Sequence, residues 1–126
     1  MKLDSTIEVQ GSLLLVVLSG EVSFNQAWDV LKQAYDTALE KHVNRIVVDS
    51  LGVESRLTTF ERYRLGTETV TYFRAERMDL RIACVGKPPF VDGFVVLVGK
   101  NRWVATEMFS NRPEALNWLG LANNEL

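Results

Sequence analysis

The chain is poor in the residues that most often announce chemistry: it has one cysteine, Cys84, one histidine, His42, and three prolines in 126 residues. A lone cysteine excludes an internal disulfide framework and a cysteine-rich zinc site, and agrees with a reducing compartment. With a single histidine beside it, the chain lacks the usual ligand set of a metal site, and no metal or cofactor is implied. Positive charge is in short supply too. Lys and Arg number 14 against 16 Asp and Glu, a net charge of -2, so the broad positive field that serves nucleic-acid binding is missing, although arginines crowd between Arg56 and Arg81. The longest purely apolar run, Leu13 to Leu18, is far too short to cross a bilayer, and the opening MKLDSTIEVQ has no signal-peptide core. The expectation is a soluble, cytoplasmic protein with no integral membrane segment and no nucleic-acid partner.

What is present suits one domain, residues 1–126, with 47% hydrophobic residues and enough length to build a core without staples. Ile7 and Val9 alternate with Thr6, Glu8 and Gln10, as on a strand with one wet face, and Gly11-Ser12 supplies a tight turn. Leu13 to Leu18 then reads as a strand buried on both faces, inside a sheet. Ser23-Phe-Asn-Gln26 has the form of a capping box, opening a helix whose apolar side carries Ala27, Trp28, Leu31, Ala34, Tyr35, Ala38 and Leu39. Arg45 to Asp49 and Arg81 to Val85 are short apolar runs of the central-strand type, the second ended by Gly86-Lys-Pro-Pro. Between them, Thr58-Thr-Phe-Glu61 is a second capping box, followed by a helical stripe of Phe60, Tyr63, Thr67, Val70 and Phe73. Phe94 to Val98 has strand propensity between two glycines. Trp103 to Phe109 is strand-like, and Asn111-Arg-Pro-Glu114 opens a last helix with Ala115, Leu116, Trp118 and Leu119 on its apolar side. The alternation predicts an α/β fold with right-handed crossovers and helices packed on a largely parallel sheet.

Several stretches, "GEVSFNQAWDVL", "RIVVDSLGVESRLTTFERYRLG", "KNRWVATEMF" and "RPEALNWL", together resemble the SpoIIAA-like proteins, a small stand-alone group related to STAS domains and, in fold, to CRAL-TRIO lipid-binding domains. The resemblance runs from about Thr6 to Leu119 and rests on a pattern of core and caps, with no catalytic signature in it. It implies a mixed, mainly parallel sheet of about five strands with an N-terminal hairpin and about four helices, and it makes residues 91–101 a helix against their propensity. It also implies a regulatory or binding module with a protein partner, engaged through the turn after the third strand and the adjoining helix. In anti-sigma-factor antagonists that turn carries Asp-Ser-Ser-Gly, and a partner kinase phosphorylates the second Ser. This chain has Asp49-Ser50-Leu-Gly52 at the expected strand end, ahead of the cap at Thr58, so Thr58 and Thr59 are the closest equivalents of the phosphoacceptor, with Ser55 behind them. The candidate partner- or ligand-binding set is therefore Asp49, Ser50, Ser55, Arg56, Thr58, Thr59 and Arg62.

Each reading has a plainer competitor. A phosphate at Thr58 or Thr59 would meet free N–H groups at a helix start, with Arg56 and Arg62 near in sequence, yet the capping box already satisfies those donors. Phe60, Tyr63, Phe90, Phe94 and Trp103 supply aromatic surface for a pocket that carries a small apolar or lipid-like ligand, or they simply fill the core. An enzyme is disfavoured: there is no Gly-x-Ser-x-Gly elbow and no P-loop, His42 falls at a helix C-terminus, and Cys84 lies mid-strand as a small apolar side chain. For a stand-alone domain this small, a homodimer is a further expectation.

Overall fold

The computed structural model describes residues 3–55, 57–74, 80–87 and 105–121, with backbone alone at residues 55, 69, 70, 73 and 74. The chain begins with a hairpin of β1 (Leu3–Gln10) and β2 (Leu13–Val22), joined by Gly11-Ser12. Gly11 has φ 60° and Ser12 does not share the positive sign, which is the II′ type of two-residue turn that matches the twist of paired strands. Helix α1 (Phe24–Lys41), strand β3 (Arg45–Ser55), helix α2 (Thr59–Arg74), strand β4 (Arg81–Val85), strand β5 (Ala105–Phe109) and helix α3 (Arg112–Leu119) follow. Three helices are thus described where about four were expected, and the helix expected over residues 91–101 lies outside the described residues. No described helix is long and apolar enough to cross a membrane.

The five strands form one sheet in the order β1-β2-β3-β4-β5, antiparallel between β1 and β2 and parallel elsewhere. Because side chains alternate across a strand, neighbouring apolar residues of β2, β3 and β4 supply two separate cores. Leu14, Val16, Leu18, Ile46, Val48 and Ile82 face α1 and meet its buried Ala27, Val30, Ala34, Tyr35 and Ala38. Leu13, Leu15, Val47, Ala83 and Val85 face the other way and meet Ala115, Leu116 and Leu119 of α3.

The helix ends follow the local chemistry of the sequence. Ser23 and Gln26 make a reciprocal capping box, and the Asn111 side chain accepts the Glu114 N–H at 3.0 Å. At the other end of α1, the Val43 N–H reaches Ala38 O at 2.9 Å and the His42 N–H reaches Leu39 O at 3.3 Å, a Schellman closure. Helix α3 closes in the same way through Gly120 at φ 79°; α1 does so with His42 at φ 56°. His42 therefore occupies a left-handed position that glycine fills with less strain.

Two sequence expectations are corrected. First, Asp49-Ser50-Leu-Gly52 does not end the third strand: β3 runs on to Ser55, because Gly52–Ser55 pair with Ser19–Val22 of the long strand β2. The register shifts between Val17 and Ser19, so Ser50 and Leu51 together stand opposite Leu18, as in a β-bulge. A Cβ on Gly52 would sit 3.0 Å from Ser19 Cβ, a tight contact that any larger residue would make only by displacing Ser19 slightly. Second, the stripe begun by Phe60 and Tyr63 is not the inner face of α2. Leu65 is buried in the first core, and Tyr72 packs edge-on against Trp28 and Tyr35 with ring centroids 5.7 and 5.2 Å away. The Tyr72 hydroxyl donates to Asp36 Oδ1 at 2.8 Å, which locks the helix in this rotation. Phe60 and Tyr63 are consequently turned outward, 71% and 49% exposed.

Candidate functional site

The residues singled out in sequence fall into two places, one on each side of the bulge. Asp49 is buried on the α3 side of β3. Its Oδ1 accepts the Leu51 N–H at 3.0 Å, which braces the bulge from within, and its Oδ2 accepts from Arg112 Nε at 2.5 Å. Arg112 is the first residue of α3, so this ion pair ties the helix to the end of the central strand. Ser50 is 2% exposed and its hydroxyl donates to Val85 O at 2.9 Å, a bond between β3 and β4. Both side chains are engaged in holding strands and a helix together.

The second place is the start of α2. Leu57 is buried, and Thr58 is the cap: its N–H donates to Glu61 Oε1 at 2.9 Å while its Oγ1 accepts the Glu61 N–H at 3.1 Å. The expected capping box is formed. Arg62 folds back over this turn, donating to Leu57 O at 3.0 Å and to Thr59 Oγ1 at 3.3 Å. Thr59 is exposed, and with Phe60 and Tyr63 it makes the outward surface of the first turns of α2. Ser55 ends β3 with its side chain outside the described residues, and Arg56 lies outside them altogether. The structure thus brings Thr58, Thr59 and Arg62 together and sets Asp49 and Ser50 apart from them.

Of the aromatic residues proposed to line an apolar pocket, Phe90, Phe94 and Trp103 lie outside the described residues, whereas Phe60 and Tyr63 project from the surface. Beside the α2 start there is an open cleft of about 270 Å³ lined by Glu21, Val22, Ser23, Phe24, Gln26, Leu57 and Glu61. Carboxylates and amides on its wall make it a poor seat for a wholly apolar ligand. The guanidinium of Arg64 lies 4.7 Å from the Phe24 ring centre and its Nε pairs with Glu68 at 3.1 Å. These interactions keep Arg64 on the surface formed by the two helices.

The carboxyl end of a central strand attracts ligands in open α/β sheets where the strand order reverses and leaves a crevice. Here the described strands run in sequential order with no reversal, so the bulged end of β3 has no such crevice to recommend it. Cys84 is partly covered beside the first core, and burial, with the Glu107 carboxylate adding to it, pushes its thiol up to about 12. A thiol so raised stays protonated at neutral pH and is a poor nucleophile. The Asp49–Arg112 pair was not visible in sequence, since its partners stand 63 positions apart and nothing local marks them.

The described residues form a five-stranded mixed sheet with an N-terminal hairpin, α1 and α2 on one side and α3 on the other, an arrangement of the SpoIIAA-like fold. No protein-family model matches the chain, and no curated protein matches it in sequence. Solved structures do share its fold. It is similar to an anti-sigma factor antagonist from Mycobacterium paratuberculosis, with a TM-score of 0.64 and 18% identity over 94% of this chain and 95% of that one. An uncharacterized protein of the DUF3478 family with a SpoIIAA-like fold, from Shewanella loihica PV-4, gives a TM-score of 0.55 and 15% identity over 93% of each chain. The anti-sigma factor antagonist SpoIIAA in its unphosphorylated form gives 0.57 and 11% identity over 95% of this chain and all of that one, 100%.

Proposed function

We propose that the chain is a non-enzymatic regulatory module that binds a protein partner through the turn after β3 and the first turns of α2. The observation that carries this reading is the exposure of Phe60 and Tyr63, 71% and 49%, on a helix whose inner face is satisfied by Leu65 and Tyr72. Two large aromatic side chains held outward by a well-capped helix are the kind of rigid anchor on which binding energy concentrates. The likeness in fold to anti-sigma factor antagonists supports a partner that is itself a protein. In this reading Thr59 and Arg62 form the polar border of the surface, and Asp49 and Ser50 brace the strand behind it.

The test is affinity capture with the intact chain and with the double variant Phe60→Ser/Tyr63→Ser, followed by titration calorimetry on any protein recovered. Two anchors at ~1–2 kcal/mol each predict a loss of about 30- to 1,000-fold in affinity at unchanged stability. A partner that binds both proteins equally well would refute the assignment of this surface.

A further inference from the structure

A second surface lies along β1 and uses no residue of α2. Among the described residues, strand β1 is the outer strand of the sheet and pairs with β2 alone. Its eight residues stay in unbroken register with β2, from Leu3 opposite Gly20 to Gln10 opposite Leu13. In an antiparallel ladder every second residue of an edge strand turns its N–H and C=O outward, a template for one more strand. Proteins commonly guard such edges with proline, lysine, a bulge or a short strand. Leu3–Gln10 has none of these; its guards are the carboxylates of Asp4 and Glu8, which repel an anionic strand and not a cationic one, and Asp4, Ser5, Thr6, Glu8 and Val9 are all exposed.

The side chains of this edge are sorted by face. Asp4 and Glu8 stand on the α3 side, in line with Ser19 and Leu15, while Ile7 and Val9 stand on the α1 side, in line with Val16 and Leu14. Ile7 is half-buried and Val9 is 41% exposed. Two carboxylates four residues apart, roughly 13 Å along a strand, with no basic side chain among residues 3–10, make one face of the edge acidic. The other face carries Leu3, Ile7 and Val9, with Ser5 between them. We propose that the free edge of β1 is a docking site for an extended segment of another protein that alternates basic and apolar residues. That segment would add a sixth strand, setting its cations opposite Asp4 and Glu8 and its apolar side chains against Ile7 and Val9.

The same charges argue against a second copy of this chain. Self-pairing centred on Thr6 sets Asp4 of each copy opposite Glu8 of the other, and centring on Ile7 brings the two Glu8 side chains to a diagonal position; like charges so placed are destabilising. The probe is the labelled peptide acetyl-Ser-Val-Lys-Val-Thr-Val-Lys-Val-Ser-amide, with a control carrying Glu in place of Lys. Fluorescence anisotropy should show saturable binding of the Lys peptide by the intact chain, and hydrogen exchange should show new protection at alternate β1 amides. The variant Asp4→Lys/Glu8→Lys should weaken that binding by about tenfold or more and take up the Glu peptide instead, as reversal of two cross-strand pairs requires. Three results would overturn the proposal: no saturable binding at millimolar peptide, binding indifferent to the charge reversal, or β1 amides protected by protein concentration alone, which would give the edge to a second copy.

Discussion

Replacing Arg112 by Met tests whether the ion pair at the bulge holds the last helix in place. Asp49 is only 6% exposed, and its carboxylate has two partners, the Leu51 N–H and the Arg112 guanidinium. Arg112→Met removes the cationic partner and leaves a buried carboxylate with one neutral hydrogen bond. Breaking a fully buried pair costs about 3–5 kcal/mol, but the Arg112 side chain is 36% exposed and water fills part of the gap. Loss of a charge-assisted bond, about 1.5–3 kcal/mol, is the better guide, and a destabilisation of about 2 kcal/mol is expected. In a domain of this length that is a fall in Tm of roughly 5–10 °C. Adding Asp49→Asn should restore about 1 kcal/mol, because the amide oxygen still accepts the Leu51 N–H and no charge is stranded. Urea unfolding followed by tryptophan fluorescence suits the purpose, since Trp118 sits on α3 with its ring 5.8 Å from that of Phe109. A loss below about 0.5 kcal/mol, or an Asp49→Asn effect equal in both backgrounds, would refute the bracing role.

Three further perturbations are read from the same unfolding curves. His42→Gly should stabilise the protein by about 0.5–1 kcal/mol, because relief of the left-handed strain exceeds the entropy glycine adds to the unfolded chain; a loss would show that the His42 side chain contributes in its own right. Thr58→Ala should cost about 1 kcal/mol while Thr58→Asp changes stability little, since Asp caps a helix as well as Thr does; equal effects would deny the cap. The Cys84 thiol, raised to about 12 in the folded chain, is protonated more readily there than in the unfolded chain. Its contribution is fully present below the unfolded thiol value and is lost as pH rises through the folded one, so wild type should lose stability from about pH 9 upward and Cys84→Ala should lose less. Parallel alkaline curves for the two proteins would refute the burial of the thiol.

Local chemistry was legible and pairing was not. The three helix starts at Ser23, Thr58 and Asn111 were readable because a cap and its partner lie three residues apart, and all three form. The double-sided burial of β2 was readable for the same reason, as an uninterrupted apolar run. The bulge was not, because Ser50 and Gly52 carry the residue types of a turn, and only the length of β2 decides that β3 continues past them. The rotation of α2 was misread for a related cause. Phe60 and Tyr63 recur at helical spacing with Thr67 and present more ring surface than Leu65, but the inner face is chosen by what α1 offers, the Trp28 and Tyr35 rings that receive Tyr72.

The hydroxyls that first drew attention to this region sort themselves by what the fold demands of them. Ser50 donates to Val85 O from a position 2% exposed, so a modifying enzyme could reach it only by parting β3 from β4. Thr58 Oγ1 already accepts the Glu61 N–H in the cap, and a phosphate ester on that oxygen would crowd the bond that opens the helix. Of the three, Thr59 alone is exposed and free of a backbone duty, and it stands beside the Arg62 guanidinium and next to Phe60. Added charge at Thr59 would therefore leave the cap and the core intact while changing the border of the aromatic surface. On the proposed reading of this surface as a contact, that separation would let the contact be altered without unfolding the helix that presents it.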